Sequence, residues 1–553
     1  MTQDLRVDER NIASVLERML REHPNQVAVE DPSARLTYSE LWRSALALGG
    51  GLLELGLTRQ DFGLMMLDDH VDSVLCWLGL SLTGNVEVPI NTAYKGGMLS
   101  HIIGDCGARL MIVEAHYLDR LVEIATDIPA LQTIVVRGAA AAADVARASA
   151  LWKIVTLEKV KAAAPAAPAQ LNPWDLLSVS YTSGTTGRSK GVLCPHLHAF
   201  LHASGVALGD TRPGETRLIV LPQFHIAGQW GGVYNAFICG ATAYIAGTFS
   251  ASTFWETAAR VGATTTELVG TMGEFLWRQP PHPSDREHGI REVCLIPPPA
   301  DSRAWEERFG VRIVTCYGST EVGSVLQNLE PHHQGVGRVR PGVSVRIVDE
   351  HDRELPPGEV GELVVRPDEP WASSVGYLNN AAQSLEAWRN GWLHSGDALY
   401  RDTDGNFFFV DRLDDAIRRR GENISSAEVE HYILMHPAIA EAAAVAVPSE
   451  FGEDEIKAVI VLKPDATLTE ADLIRFLSKS VPYFMVPRFI EIVDSLPKTP
   501  TAKVKKKELR ANGVGGAWDS HLHGLAPARD RRPPLLSNAE QLGCRQRAAP
   551  TRS

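Results

Sequence analysis

The chain has 553 residues, 44% of them hydrophobic, with 54 basic and 67 acidic side chains and a formal net charge of −13. This length predicts at least two domains. The acidic balance argues against bulk binding to nucleic acid or anionic membrane, so an anionic ligand would need a local basic site. Seven cysteines without a C-x-x-C pair predict free thiols in a reducing compartment. The charged N-terminus and the lack of a long apolar run predict a cytoplasmic chain without a membrane span.

The first predicted elements alternate between helices and strands. They are helices over residues 38–55 and 71–82 and strands over residues 63–67 and 86–90. The same alternation resumes over residues 176–317. Strands alternating with helices predict parallel sheets in a layered α/β domain. Two alanine-rich stretches, residues 139–143 and 161–170, separate these blocks and are typical of surface loops or linkers.

Closely spaced strand-like runs replace this alternation after Pro341. They cover residues 344–348, 361–365 and 406–410 and predict a small antiparallel subdomain. Beyond it, helices over 427–435 and 470–481 and a strand over 456–462 predict an α+β domain. The predicted organisation is an N-terminal domain over residues 1–411, a C-terminal domain over 412–515 and a disordered tail over 516–553.

The strongest local signal is the run over residues 181–192, YTSGTTGRSKGV, which follows a strand-like segment. Its glycines permit close backbone approach, its hydroxyls donate hydrogen bonds and Lys190 adds positive charge. This combination predicts a site for a polyphosphate. The alternative is an ordinary flexible loop. The spacing is neither that of a Walker A loop nor that of a dinucleotide-binding fingerprint.

Six further runs follow this loop in a fixed order. They are residues 221–225 (LPQFH), 317–321 (YGSTE), 391–397 (GWLHSGD), 409–412 (FVDR), 421–425 (GENIS) and 496–503 (LPKTPTAK). Together with the loop they resemble the motifs of the adenylate-forming superfamily, which includes acyl-CoA synthetases. The resemblance covers about residues 10–515. Residues 278–281 (RQPP), 290–293 (IREV) and 307–312 (ERFGVR) resemble the crotonobetaine/carnitine:CoA ligase branch in particular.

The resemblance implies a set of nucleotide-binding residues. The set is Thr182, Ser183, Gly184, Thr185, Thr186, Lys190, Tyr317, Gly318, Thr320, Asp397, Arg412 and Lys503. A fixed carboxylate at Asp397 suits two ribose hydroxyls, and the Tyr317 ring suits the face of adenine. Glu321 is a hard oxygen ligand suited to Mg²⁺. Without the resemblance, Asp397 reads as a turn residue, and Thr320 with Glu321 as the start of a helix.

The resemblance also implies the residues that carry the chemistry. The implied catalytic residues are Lys503, Glu321, Thr186 and His225, the hinge is Asp414, and the loop for thioester formation comprises Gly421, Glu422 and Asn423. The implied acyl pocket comprises His225, Gln229, Trp230, Gly270, Thr271 and Met272. Taken alone, a histidine here more often belongs to a core, and the pocket residues could equally serve packing. A mobile lysine suits the charge that builds between a carboxylate and the α-phosphate.

Three positions depart from the superfamily pattern. Ala502 precedes Lys503 where glycine is usual, and residues 296–300 (IPPPA) replace a glycine-rich turn near the adenine. Proline removes backbone donors, so this turn is predicted to contribute fewer contacts to the nucleotide. Arg420 replaces the first of two glycines before Glu422, and we expect its side chain to narrow the channel for pantetheine.

The sequence therefore predicts an ATP-dependent acid:CoA ligase. A carboxylate would attack the α-phosphate of Mg-ATP, and CoA would then displace AMP from the acyl-adenylate. The expected partners are a small carboxylic acid, ATP, Mg²⁺ and CoA, without nucleic acid, and a homodimer is compatible with the sequence. One alternative is an adenylation enzyme that loads a carrier protein. Another is a regulator that binds nucleotide without catalysis.

Overall fold

A computed structural model describes residues 6–182, 188–205, 209–299, 301–329, 335–412, 416–450, 452–498 and 504–526. Its architecture confirms the predicted fold class. Two large sheets flanked by helices form the N-terminal domain, a small antiparallel sheet is attached to them, and a compact α+β domain follows. Among the described residues, no helix combines the length and the apolar character needed to cross a membrane.

The strands of the N-terminal domain come first in the chain. They are β1 (Val27–Glu30), β2 (Arg35–Thr37), β3 (Phe62–Met66), β4 (Val86–Pro89), β5 (Leu110–Glu114), β6 (Thr133–Arg137), β7 (Lys153–Thr156), β8 (Leu176–Thr182), β9 (Lys190–Pro195), β10 (Thr216–Ile219), β11 (Thr242–Ile245), β12 (Ala263–Val269), β13 (Glu292–Ile296), β14 (Arg312–Ser319), β15 (Gly323–Asn328), β16 (Arg338–Val339), β17 (Val343–Val348), β18 (Gly361–Pro367), β19 (Leu393–Arg401) and β20 (Phe407–Arg412). The C-terminal strands are β21 (Ala416–Arg419), β22 (Glu422–Ser425), β23 (Ile439–Pro448), β24 (Asp454–Leu462), β25 (Phe489–Ile492) and β26 (Trp518–Asp519).

The helices connect these strands. The α-helices are α1 (Ile12–Glu22), α2 (Tyr38–Glu54), α3 (Val71–Leu82), α4 (Gly96–Cys106), α5 (Leu118–Glu123), α6 (Ala142–Ser149), α7 (Leu157–Lys161), α8 (His196–Ala203), α9 (Asn235–Cys239), α10 (Phe254–Val261), α11 (Gly270–Trp277), α12 (Ser302–Phe309), α13 (Ala381–Ala387), α14 (Ser426–Leu434), α15 (Glu470–Ser480) and α16 (Lys506–Ala511). A π-helix, Ala227–Tyr234, precedes α9, and short 3-10 helices cover Val7–Glu9, Ala115–Tyr117, Ala125–Asp127, Pro283–Asp285 and Arg389–Gly391.

The two large sheets are mainly parallel. The first has the strand order β7-β6-β5-β3-β4-β8-β9, and only its β8-β9 pair is antiparallel. The second has the order β16-β15-β14-β13-β12-β10-β11-β1-β2, with a parallel centre and antiparallel strands at both edges. The parallel strands end at a common edge of each sheet, which is where ligands bind in open α/β folds.

The small sheet and the C-terminal domain complete the fold. Strands β17 to β20 form an antiparallel sheet in chain order, and β23 to β26 form the sheet of the C-terminal domain. The predicted boundary after residue 411 falls at the end of β20. The ordered chain continues past residue 515, where the tail was expected, because β26 pairs with β25 and extends the C-terminal sheet at its edge.

Two adjacent glycines in α2, Gly50 and Gly51, allow the segment from the end of α7 into the alanine-rich stretch to cross close to this helix. A Cβ atom at Gly50 would lie 2.1 Å from the carbonyl oxygen of Ala164, and one at Gly51 would lie 2.3 Å from that of Val160. The backbone amide of Ala166 donates a hydrogen bond to the backbone carbonyl of Leu46, which lies in α2. This stretch is therefore packed against α2 over part of its length rather than being a detached linker.

We predict that Gly50→Ala destabilises the protein by about 2 kcal/mol or more, because a methyl group would overlap a backbone carbonyl. Gly104→Ala in α4 is the matched control, since its nearest heavy atom would lie 3.8 Å away. The control should stabilise the protein by up to ~1 kcal/mol, as alanine does in an open helix position. Urea unfolding of both variants measures the difference. Equal effects of the two substitutions would contradict the packing argument.

Candidate functional site

Two strands hold an aromatic ring and a carboxylate together at the predicted nucleotide site. Tyr317 lies on β14 and Asp397 on β19, and the Tyr317 hydroxyl donates a hydrogen bond to Asp397 Oδ2 at 2.5 Å. Asp397 is buried, with 4% of its surface exposed, and is directly paired in register with Arg412 on β20. The structure thus brings the backbones of these three predicted residues together and fixes one carboxylate oxygen of Asp397.

Glu321 lies in the turn between β14 and its antiparallel neighbour β15. Its Oε1 accepts a hydrogen bond from the Tyr377 hydroxyl at 3.1 Å. The Lys190 ammonium lies 5.0 Å from the centre of the Tyr377 ring, within the range of a cation–π contact. Burial and the nearby Glu321 carboxylate both raise the pKa of Tyr377, so its hydroxyl stays protonated and remains a donor. Lys190 and Glu321 therefore flank one tyrosine.

The predicted phosphate loop joins two antiparallel strands, since Thr182 on β8 pairs with Lys190 on β9. Several predicted residues lie outside the described residues: Ser183, Gly184, Thr185, Thr186, Asp414 and Lys503. The side chains of Arg412 and Asn423 are likewise not described, although their backbones belong to strands. The roles assigned to these residues stay predictions.

Glu422 of the C-terminal domain contacts His225 of the N-terminal domain. The Nε2 atom of His225 lies 3.1 Å from Glu422 Oε2, and Asn91 Nδ2 donates to Glu422 Oε1 at 3.1 Å. Burial opposes protonation of His225, but the Glu422 carboxylate outweighs it and raises the histidine pKa. The predicted loop over residues 421–425 therefore lies beside His225, which the resemblance implies to be catalytic.

A second contact joins the same loop to the predicted acyl pocket. Glu453 accepts hydrogen bonds from Thr271 Oγ1 at 2.8 Å and from the Gly421 amide at 3.1 Å. Gly421 has φ +80°, which favours glycine, and its Cβ position lies 3.5 Å from Val269. Glu453 thus connects the start of α11 to the loop, and this bridging carboxylate was not predicted from the sequence.

Arg420 occupies a left-handed conformation, with φ +56°, at the position where the superfamily pattern has glycine. Its guanidinium lies 5.4 Å from the centre of the Tyr483 ring in the same domain. A non-glycine residue in this region of φ/ψ space is held there at a cost of about 1 kcal/mol or more. The ring contact compensates for part of that cost.

The remaining predicted pocket residues differ in their surroundings. Gly270 packs against Pro297, whose Cδ would lie 2.9 Å from an added Cβ, and Thr271 is buried beside it. Met272 packs against a buried apolar cluster formed by α10, α12 and strands β10 to β14. Gln229 and Trp230 are both buried, and the indole Nε1 of Trp230 donates to Gln229 Oε1 at 3.1 Å. Trp230 therefore serves core packing and orients Gln229.

Two buried histidines on α8 pack against the segment that contains Thr320 and Gly323. His198 Nε2 lies 2.9 Å from the backbone oxygen of Thr320, and its ring contacts Trp230 edge to face at 5.5 Å. The His202 ring contacts the same indole, with 6.0 Å between the ring centres. A Cβ added at Gly323 would lie 3.2 Å from the Cβ of His202. Sequence reasoning missed both, although their spacing of four residues places them on one face of a helix.

The comparisons with known proteins agree with this geometry. A family model described as AMP-binding enzyme matches residues 16–374, and one described as AMP-binding enzyme C-terminal domain matches residues 428–503. A crotonobetaine/carnitine-CoA ligase from Salmonella typhi is 33% identical over 469 residues, covering 82% of this chain and 89% of the relative.

Solved structures show the same architecture. An anthranilate CoA ligase, AuaEII, in complex with anthranoyl-AMP, is 26% identical with a TM-score of 0.69 and covers 92% of this chain and 98% of its own. An o-succinylbenzoate CoA synthetase from Bacillus subtilis is 22% identical with a TM-score of 0.78, covering 91% and 99% respectively, and supports the fold alone.

We predict that His202 makes the protein acid-sensitive. Burial, the neighbouring His198 and Arg340 lower its pKa to about 3, from 6.5 in an exposed side chain. The unfolded state therefore binds a proton that the folded state rejects, and stability falls as pH drops from about 6.5 towards 3, by up to ~1.4 kcal/mol per pH unit. Neither ring nitrogen has a hydrogen-bond partner among the residues described, so His202→Leu should reduce this slope.

Urea unfolding at about pH 7.5 and at about pH 5, above and below the pKa of an exposed histidine, measures the effect. The control is His351→Gln, because His351 has 66% of its side chain exposed. The control should leave the slope unchanged. An identical slope in His202→Leu and the parent protein would refute the role assigned to this buried ring.

Proposed function

Since the chain belongs to the AMP-binding enzyme family and is an ATP-dependent acid:CoA ligase, we propose that its two half-reactions use the two groups of residues described above. In the first, the acid and ATP form an acyl-adenylate and pyrophosphate. In the second, CoA converts the adenylate to acyl-CoA and AMP. The contact of Glu422 with His225 is the observation that carries the proposal, because it brings the C-terminal loop to the residue proposed to lie beside the acid.

The adenylate-forming step is assigned to residues around β14 and β19. Asp397, oriented by the Tyr317 hydroxyl, binds the ribose hydroxyls. Lys190 and Thr320 bind phosphate oxygens, with Thr182, Ser183, Gly184, Thr185 and Thr186 from the loop between β8 and β9. Lys503 neutralises charge between the attacking carboxylate oxygen and the α-phosphorus as the bond to pyrophosphate breaks.

Glu321 is the proposed ligand for Mg²⁺, which would neutralise charge on the phosphates when bound. No group of three or more histidine, cysteine, aspartate or glutamate side chains suited to a metal occurs in the part of the chain that is described. A single carboxylate fits Mg²⁺, which keeps several waters and takes further oxygens from the phosphates of its nucleotide. The hydroxyl of Tyr377 holds that carboxylate in place.

The thioester-forming step is assigned to the arrangement that the structure describes. Glu422, Asn91 and His225 line the approach to the acyl carbonyl, and Glu453 attaches the loop to Thr271. The CoA sulfur attacks the carbonyl carbon, and the bond from that carbon to the AMP oxygen breaks. Rotation at Asp414 is the proposed change that brings Lys503 in for the first step and this loop in for the second.

The acid is proposed to be a small carboxylic acid, and the cytoplasm is the proposed location. The named relative acts on crotonobetaine or carnitine, yet pocket shape differs among members of one fold, so the acid does not follow from the relative. The six described cysteines are free, as expected in a reducing compartment.

A screen of carboxylic acids tests the proposal. Purified protein is incubated with ATP, Mg²⁺, CoA and betaine-like, small branched, aromatic or steroid side-chain acids, and both AMP and acyl-CoA are measured by mass spectrometry. Equal amounts of AMP and acyl-CoA are expected for the true substrate. AMP without any acyl-CoA would favour loading of a carrier protein instead, and no AMP with any acid would favour a non-catalytic regulator.

We predict that Lys503→Ala blocks the first half-reaction only. Loss of a charge that acts in the transition state should lower acid-dependent pyrophosphate exchange by about 100-fold or more. Thioester formation from a pre-formed acyl-adenylate should change little. Lys507→Ala is the control, since this lysine lies four residues further along the chain and is exposed. Unchanged exchange in Lys503→Ala would remove this residue from the mechanism.

We predict the reverse pattern for Glu422→Gln. The substitution keeps the shape of the side chain but removes the charge that raises the pKa of His225. The loop should then dock less firmly, slowing thioester formation from acyl-adenylate and CoA by about 10-fold. Pyrophosphate exchange should stay within a few-fold of the parent enzyme.

Glu508→Gln provides the control for Glu422→Gln, because it removes an exposed carboxylate from the same domain. Single-turnover kinetics separate the two half-reactions. If Glu422→Gln slows both equally, the contact supports stability and has no specific part in the second step.

A further inference from the structure

A small cavity lies between the ends of β3 and β4 and the segment that leads into the π-helix. Its apolar walls include Met65 and Phe224, and its polar lining includes Glu87, Gln223 and Gln229. The Phe224 ring lies against the His225 ring, with 4.7 Å between their centres. The backbone amide of Gln229 donates a hydrogen bond to the backbone carbonyl of His225, so the two residues are one helical turn apart. The cavity is therefore adjacent to the proposed reaction centre.

Glu87 is a carboxyl group inside an otherwise apolar strand. It has 0% of its surface exposed, and its Oε1 accepts a hydrogen bond from Gln229 Nε2 at 2.8 Å. Its Oε2 has no hydrogen-bond partner among the described residues. Burial outweighs the Gln229 hydrogen bond and raises the pKa of Glu87 to about 8, so the group is mostly neutral at pH 7. A buried polar atom without a hydrogen-bond partner lowers stability unless a water or a ligand supplies that partner.

Gln223 supplies a second such atom to the same cavity. It has 6% of its surface exposed, its backbone amide donates to Asp69 Oδ1 at 2.7 Å, and its Oε1 lies 3.4 Å from the Ser73 hydroxyl. Its side-chain Nε2, which can only donate, has no hydrogen-bond partner within the described ranges. Two residues that line the cavity thus carry one unused donor and one unused carboxyl oxygen.

A hydroxyl group is the chemical complement of this pair. It can accept a hydrogen bond from Gln223 Nε2 and exchange one with Glu87 Oε2, whereas a methyl group in the same place would leave both unsatisfied. Sites built to hydrogen-bond a substrate hydroxyl discriminate strongly against analogues that lack it, because the buried polar groups are then left unpaired.

We propose that this cavity receives a hydroxyl group at the non-reacting end of the acid, so that the enzyme favours hydroxylated carboxylic acids over plain alkyl acids of equal length. The inference rests on the proposed function, since the acid must be held with its carboxylate near His225. Glu87 and Gln223 are then specificity-determining residues, and Gln229 positions Glu87 through its own hydrogen bond with Trp230.

The test compares straight-chain acids of graded length, each with and without a terminal hydroxyl, by the kcat/KM for AMP formation. For the chain length that brings the terminal hydroxyl into the cavity, kcat/KM for the hydroxylated acid should exceed that for the plain acid by about 10-fold or more. A preference near one at every length would mean that the cavity holds only a trapped water, and would overturn the proposal. Failure to form AMP with any acid at all would instead count against the proposed function.

Two variants assign the preference to the cavity. Glu87→Met replaces the carboxyl with an apolar side chain of similar length, and Gln223→Leu removes the donor while leaving the contact of Glu87 with Gln229 intact. Each should lower the preference for the hydroxylated acid by about 10-fold, with kcat/KM for the plain acid kept within a few-fold. Gln223→Leu keeps the test informative if Glu87→Met fails to fold.

Tyr234→Phe is the matched control. Its hydroxyl is also buried without a hydrogen-bond partner among the described residues, and it lies on the π-helix, outside the cavity lining. This variant should keep the full preference. If both cavity variants also retain it, the hydroxyl is recognised elsewhere and the proposal fails.

Discussion

The hydrogen-bonded contact between Glu422 and His225 is the interaction on which the described arrangement of the two domains depends. A carboxylate at a domain interface is favourable only where its partners meet it with good geometry, and here Asn91 and His225 both do. Glu453 adds a second link to Thr271. Behind these polar contacts, buried side chains of β3, β5 and α14 belong to one continuous apolar cluster. The loop of the C-terminal domain is thereby held beside His225 and Thr271.

The proposed mechanism requires a movable domain. The residues predicted to bind nucleotide, Tyr317 and Asp397, lie on β14 and β19 of the N-terminal domain and are fixed by strand pairing and by their own hydrogen bond. The C-terminal domain carries both Lys503 and the loop with Glu422, about 80 residues apart in sequence. In the proposed mechanism these two groups act in successive half-reactions, and a single hinge is the simplest device for exchanging them.

Several features were predictable because they depend on local periodicity or on an ordered set of motifs. The helix predicted over residues 71–82 forms as Val71–Leu82, and the residues predicted to bind nucleotide at 317 and 397 meet at 2.5 Å. Other features depend on contacts between distant segments. The glycines of α2 are required by a segment that crosses the helix and lies more than 100 residues away in the sequence. The addition of β26 to the C-terminal sheet likewise has no local sequence signal.

The sequence by itself determined the family, the reaction and the order of the elements, because phosphate-binding loops, strand periodicity and motif order are local properties of the chain. Only the tertiary structure decided which side chains share a buried space. Glu87 lies on a strand more than 130 residues before Gln223 and Gln229 in the sequence, yet the three residues line one cavity. His198 and His202 likewise act on a motif about 120 residues away. Burial and unmet hydrogen-bonding capacity arise from packing, so this cavity and its polar lining were decided there.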